Sequence, residues 1–153
     1  MPIQVPPSLK AEHDELHAEL KQATGSGGRT GAAASDVARL MHPHFVSEEE
    51  FALPPLGLLP ELSKGKLGDE IADVLKLTDK LERELPRMLA EHKEIVAGLK
   101  RLVDAAKTEG KPDIAAFAEK LMAHAQAEEE VSYPAAILIG RYLRSVSGSK
   151  ADE

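Results

Sequence analysis

Two stretches of the chain carry the same set of groups able to hold a cation. HFVSEEEFALP (44–54) and HAQAEEEVSYP (124–134) each contain a His, three residues, three glutamates, three residues and a proline. An imidazole and a carboxylate four residues apart share one helix face, one turn above the other. His44 with Glu48, and His124 with Glu128, are such pairs. Two further histidines fall in a second repeat: EHDELHAEL (12–20) and EHKEIVAGL (91–99) agree at Glu, His, Glu, Ala and Leu. The offset is 79 residues for this pair and 80 for the first. It predicts two helical hairpins packed about a pseudo-twofold axis, each supplying one lone His and one HxxxE.

His13, His44, Glu48, His92, His124 and Glu128 all fall at positions where apolar residues of a helical stripe are expected. A buried carboxylate costs far more than one hydrogen bond returns unless it is paired or binds a cation. Two carboxylates in one layer also repel each other. Four imidazoles can neutralise them by taking protons, but an unperturbed His is mostly neutral at pH 7. A pair of divalent cations answers all of these terms. The donor set, two anionic oxygen groups and four neutral nitrogens, suits iron, manganese, cobalt, nickel or zinc. Calcium and magnesium prefer oxygen alone. With two histidines on each metal and both glutamates bridging, each metal has four protein donors. A solvent oxide or hydroxide bridge adds a fifth. An open position then remains on at least one metal for chemistry with a small molecule. The bland alternative is a set of satisfied polar or surface residues; a lone His on an apolar stripe usually is one, but six at matching positions argue against it.

Four periodic segments must position these groups. The first runs from about 8 to 22 with stripe Leu9, His13, Leu16 and Leu20, and the glycine-dense stretch 23–31 is a loop. The second starts near Ser35, a residue suited to capping, with stripe Val37, Leu40, His44, Glu48 and Phe51, and closes at Pro54-Pro55. A linker with partial helix covers 56–68. The third spans about 69–106, with Pro86 expected to kink it or start a fresh turn. Its stripe is Leu85, Met88 or Leu89, His92, Ile95, Leu99 and Leu102. After a turn at 109–112, the fourth runs from about 113 to 143 with a bend at Pro134. Its stripe is Ile114, Phe117, Leu121, His124, Glu128 and Val131. Steps of three and four with short connections predict an all-α, up-down-up-down four-helix bundle. The expected organisation is an N-terminal extension (1–7), the bundle (8–145) and a mobile polar tail (146–153).

Composition narrows the function. The chain has 153 residues, enough for one domain with a real core. It is 42% hydrophobic but only 3% aromatic, which favours helix. With no cysteine, thiolate zinc sites, cysteine-ligated iron–sulfur clusters and disulfides are excluded. A net charge of −7 without a basic run argues against nucleic acid and anionic membrane as partners. The start MPIQVPPSLK lacks the apolar core of a signal peptide, and no stretch is apolar enough to span a membrane. A cytoplasmic protein is the default expectation. The loop glycines follow no strand and form no phosphate-binding pattern.

The HxxxE-E motifs at His44 and His124, the lone His13 and His92, and the Leu53-Pro54 and Tyr133-Pro134 endings resemble the hemerythrin-like family of HHE cation-binding domains. The resemblance covers about residues 8–145. It implies a non-haem di-iron centre in a four-helix bundle, with His13, His44, His92 and His124 as terminal ligands and Glu48 and Glu128 as bridges. Members bind dioxygen, or act in iron handling, oxygen sensing or defence against nitric oxide and peroxide. Two departures separate this chain from the oxygen carriers. They have a second His four residues after the one on the third helix, where this chain has Val96. They have an Asp five residues after the fourth-helix His, where this chain has Glu at four.

The expected function is therefore a di-iron protein that binds or reduces a small oxidant: dioxygen, peroxide or nitric oxide. The alternative is an iron- or oxygen-responsive regulatory module acting through a protein partner. His17, four residues after His13, is open between an extra ligand, a group supporting a ligand and a boundary residue. Glu49, Glu50, Glu129 and Glu130 dress a solvated face, with Glu49 or Glu129 also able to bond a ligating His. His42 is peripheral. Tyr133 lies near the site's end of the fourth helix, with direct contact to the metal the lesser alternative, and Phe45, Phe51 and Phe117 fill the core rather than gate the site.

Overall fold

A computed structural model describes residues 3–151, with the side chains of 148–151 left undescribed. All regular structure among these residues is helical. Helix α1 covers Pro7–Thr24 and α2 covers Gly28–Ser47. A π turn at Glu48–Ala52, a 3-10 turn at Pro54–Leu58 and the short α3, Leu59–Ser63, lead away from α2. Helix α4 is Ile71–Thr108, α5 is Pro112–Ala127, a second π turn is Glu128–Ser132, and α6 is Tyr133–Ala151. Helices α1, α2, α4 and the α5–α6 rod pack each on the next, and α5 returns to α1, which makes a four-helix bundle.

Several boundaries differ from the sequence expectation. The first loop shrinks to three residues, and α2 starts at Gly28 rather than at Ser35, which lies exposed within the helix. The cap comes from far along the chain. The Glu109 carboxylate accepts from the backbone N–H groups of Arg29 at 3.1 Å and Thr30 at 2.8 Å, and from the Thr30 hydroxyl. That satisfies donors a helix start leaves free. Gly28 sits at φ 61° directly under this carboxylate, and a Cβ there would stand 2.3 Å from Glu109 Oε2. Lys111 adds a bond from Nζ to the Ser26 carbonyl at 2.7 Å, tying the two turns together.

Pro86 does not restart the third segment; α4 runs through it as one helix. Its ring is on the exposed face, where water can serve the carbonyl it leaves unpaired. At the other end, α6 continues through the stretch expected to be a mobile tail as far as Ala151; Asp152 and Glu153 lie outside the described residues.

Pro54 and Pro134 act through the turns before them. Proline has no N–H, and its ring crowds the carbonyl four residues back. In both places the preceding turn widens: Leu53 N–H bonds the Glu48 carbonyl, and Tyr133 N–H the Glu128 carbonyl, five residues apart. π turns of this kind concentrate at functional sites. The widening also shifts the helical register. Val131, expected on the buried stripe, is 63% exposed, while Tyr133 is buried.

The core is in two parts. One joins Leu16, Leu20, Val37, Met41, Ile95, Leu99 and their neighbours. The other joins Phe51, Leu53, Leu81, Met88, Tyr133 and Ile139 with theirs. Along α2, α4 and the α5–α6 rod, the chain passes from one part to the other through the histidines and glutamates of the repeated motifs.

Candidate metal centre

The structure brings all six expected residues together. His13, His44, Glu48, His92 and Glu128 are buried and His124 is nearly so. Each comes from a helix interior or from the first residue of a π turn, so backbone hydrogen bonding holds its position.

The two carboxylates each face two ways. Glu48 Oε1 lies 2.7 Å from His44 Nε2, while its Oε2 lies 3.4 Å from His13 Nε2. Glu128 Oε1 lies 3.4 Å from His92 Nε2; its Oε2 lies 3.4 Å from His13 Nε2 and 3.3 Å from His124 Nε2. The donors thus divide into two groups. His44, Glu48, His92 and Glu128 offer atoms that all lie within 4.8 Å of one another, as do His13, His124 and Glu128. Glu128 belongs to both groups, and Glu48 reaches from the first to His13 in the second.

Outside this ring stands a second set of carboxylates. His44 Nδ1 is 2.9 Å from Glu91, His124 Nδ1 is 2.7 Å from Glu12 and His92 Nδ1 is 3.2 Å from Glu129. His13 Nδ1 stands 3.5 Å from Glu49 and makes no hydrogen bond. Glu49 is instead bonded by Lys10 at 3.1 Å. An imidazole that donates Nδ1–H outward keeps its Nε2 lone pair for the interior. Of the four residues expected on the solvated face, Glu129 takes the alternative of bonding a cluster histidine while staying exposed. Glu50 and Glu130 remain outside, on Lys80 and Gln126. Glu12 and Glu91 are supports that the helical stripes do not reveal, yet a signal is there: each directly precedes a lone His in the repeat.

Nε2 lone pairs aimed at carboxylate lone pairs repel unless positive charge lies between them. Without a cation, protons must supply it. Burial depresses the His13 imidazole, but Glu128 and Glu48 outweigh it and raise it to about 10. His44 and His124 are also raised: burial opposes the charge, while Glu48 and Glu128 respectively favour it. Burial and then the Glu128 charge push Glu48 up, whereas at Glu128 burial is overcome by bonds from Glu48 and three histidines, and the group ionises readily. These close contacts are not all well-aligned hydrogen bonds: both Glu48 oxygens, His13 Nδ1 and His124 Nε2 are buried with no hydrogen bond of good geometry. Unpaired buried ions cost several kcal/mol each, against the roughly 5–15 kcal/mol that keeps a domain folded. These unserved atoms fit cations.

The hemerythrin HHE cation binding domain model matches residues 6–136. The chain belongs to this family. No curated protein and no solved structure gave a match. The HHE domain here holds its histidines and glutamates at one layer, and that layer supplies a metal-binding donor set.

Other residues sort by distance from the layer. His17 is exposed, its ring 6.0 Å from those of His42 and Phe45, and it belongs to neither donor group. His42 is exposed as well. Phe45 packs its ring 4.7 Å from that of His13. Tyr133 goes deeper than its position near the site's end required: its hydroxyl is 3.1 Å from His92 Nε2 and 3.3 Å from His44 Nε2. Burial, then the Glu48 and Glu128 charges, raise its phenol, which keeps its proton when no cation is present.

A void of about 10 Å³ lies between Met41, Ile95 and Leu121 on one side and His44, His92 and His124 on the other. A groove of about 360 Å³ between α4 and α6, walled by Leu85, Leu89, Ile137 and Leu138, reaches Tyr133 from the surface. A further concavity of about 960 Å³ lies between the N-terminal segment, the 56–71 linker and α6, and none of the six cluster residues lines it. No helix among the described residues is long and apolar enough to cross a membrane.

Proposed function

We propose that this protein holds two iron ions and binds or reduces a small oxidant: dioxygen, peroxide or nitric oxide. His13, His44, His92 and His124 are the terminal ligands and Glu48 and Glu128 the bridges. The observation that carries this reading is the two-way orientation of the glutamates, each giving one oxygen to each pair of histidines. A single-metal site would not need it. Two HxxxE hairpins related by a pseudo-twofold axis account for the pattern: each hairpin contributes one lone His and one His-Glu pair. Family membership favours iron, although the same nitrogen and oxygen donors also accept manganese or zinc. Reduced iron would supply electrons to the oxidant.

The chain's own groups do the rest. Glu12, Glu91 and Glu129 fix three imidazoles with Nε2 inward. The Glu48 and Glu128 carboxylates would hold two cations and offset their charge. The void of about 10 Å³ beside His44, His92 and His124 leaves room for no more than a small molecule. Val96 stands where the oxygen carriers have a further His, so this site departs from the reversible carriers by one imidazole.

The test is to reconstitute the protein with ferrous iron without air and then titrate it with dioxygen, peroxide or nitric oxide. The reading expects an absorption change that saturates in proportion to protein with at least one of them. Bound iron that responds to none of the three would defeat it.

A further inference from the structure

Tyr133 is the largest side chain sealed in the core, 1% exposed. A buried phenol normally serves a backbone carbonyl or water. Here its hydroxyl lies between two imidazole nitrogens, at 3.1 Å from His92 and 3.3 Å from His44. Those nitrogens, with Glu48 Oε1 and Glu128 Oε1, form the first donor group. The ring also stacks on His92, with centroids 5.5 Å apart and planes 29° apart. Its rotamer is therefore held by packing.

The second donor group has no counterpart. Tyr133 follows Glu128 by five residues; the residue five after Glu48 is Leu53. Both are buried, and both donate their N–H across the widened turn to the glutamate carbonyl. The backbones match, but leucine has no donor atom. At this matched position, buried in both turns, the repeat is chemically unequal.

We propose that the Tyr133 oxygen is a fifth protein donor to the cation held by His44 and His92, so that the two metal positions are unequal. This rests on the dinuclear reading above. Coordination forms one metal–oxygen bond and breaks the phenol O–H bond, and the proton passes to solvent. The position between His13 and His124 keeps four protein donors and is where an exogenous ligand binds.

The experiment is resonance Raman spectroscopy of the protein loaded with iron and oxidised to the ferric state, with iron per chain measured on the same sample. The expected result is two irons per chain and tyrosinate ring modes enhanced through a visible charge-transfer band. Ring-deuterated tyrosine shifts those modes in the wild-type protein, so the result does not depend on a variant folding. Tyr133→Phe keeps two irons and loses the band and modes. Tyr142→Phe, at the chain's other tyrosine, which is 48% exposed, keeps them. Two irons without tyrosinate modes overturn this proposal and leave the dinuclear reading standing. Fewer than two irons overturn both.

Discussion

Each cluster histidine uses its two nitrogens for two purposes. Nε2 faces the paired glutamates, and Nδ1 is turned toward a carboxylate farther out. Removing an outer carboxylate frees the ring to rotate or change tautomer, and losses of this kind weaken metal binding by about 10–100-fold. Glu12→Ala and Glu91→Ala should each fall in that range when metal is competed away by a chelator. Glu50→Ala and Glu130→Ala, in the acidic runs 48–50 and 128–130, should leave retention unchanged, because their carboxylates meet Lys80 and Gln126 instead. Equal losses in all four variants would show that net charge, not orientation, governs binding. Glu49→Ala should cost less than Glu12→Ala, since Glu49 is bonded by Lys10 and only approaches His13.

At the scale of elements, the helices and their repeated motifs were legible in the sequence because the apolar stripes and the HxxxE pairs obey one period. What was not legible depends on contacts between distant segments. The start of α2 is set by Glu109, about 80 residues on in the chain, so a local search for a cap stops at Ser35 instead. The depth of Tyr133 depends on the π turn before Pro134, which moves the register past Val131. The Glu109 contact makes a pH prediction. The N–H and hydroxyl donors of Thr30 and the N–H of Arg29 lower its carboxyl from 4.5 to about 2. A group depressed on folding stabilises the fold above its unfolded value, and that contribution is lost as pH falls through the folded one. The melting temperature of the wild type should therefore exceed that of Glu109→Gln at pH 6, with the gap closing between about pH 4.5 and pH 2. A gap independent of pH would refute the capping role. Packing of α6 on α4 gives a second test at this scale. A Cβ at Gly140 would meet Thr78 Oγ1 at 2.3 Å and Thr78 Cβ at 2.6 Å. Gly140→Ala should lose about 1–3 kcal/mol in denaturant unfolding, the usual cost of overpacking.

For the whole molecule, a layer of ionisable groups divides the apolar interior into two parts. An ordinary bundle would continue its leucines through that level. Here both parts lean on a layer that repels itself unless charge is balanced, so cations should stabilise the fold as a unit. Ligand at about 1,000 times its Kd adds about 4 kcal/mol, which for a chain of this size raises the melting midpoint by roughly 10 °C. Hydrogen exchange should slow on both sides of the layer together when metal is added, at Leu16 and Leu99 as well as at Leu81 and Ile139. Slowing confined to one side would mean that the layer does not couple the two parts. The most direct check on the account is a titration of the metal-free protein with ferrous iron under anaerobic conditions, read as iron bound per chain. The account predicts saturation at two, falling to one or none when Glu128 is replaced by Ala. Saturation at one in the wild type, or an unchanged two in the Glu128→Ala variant, would contradict it.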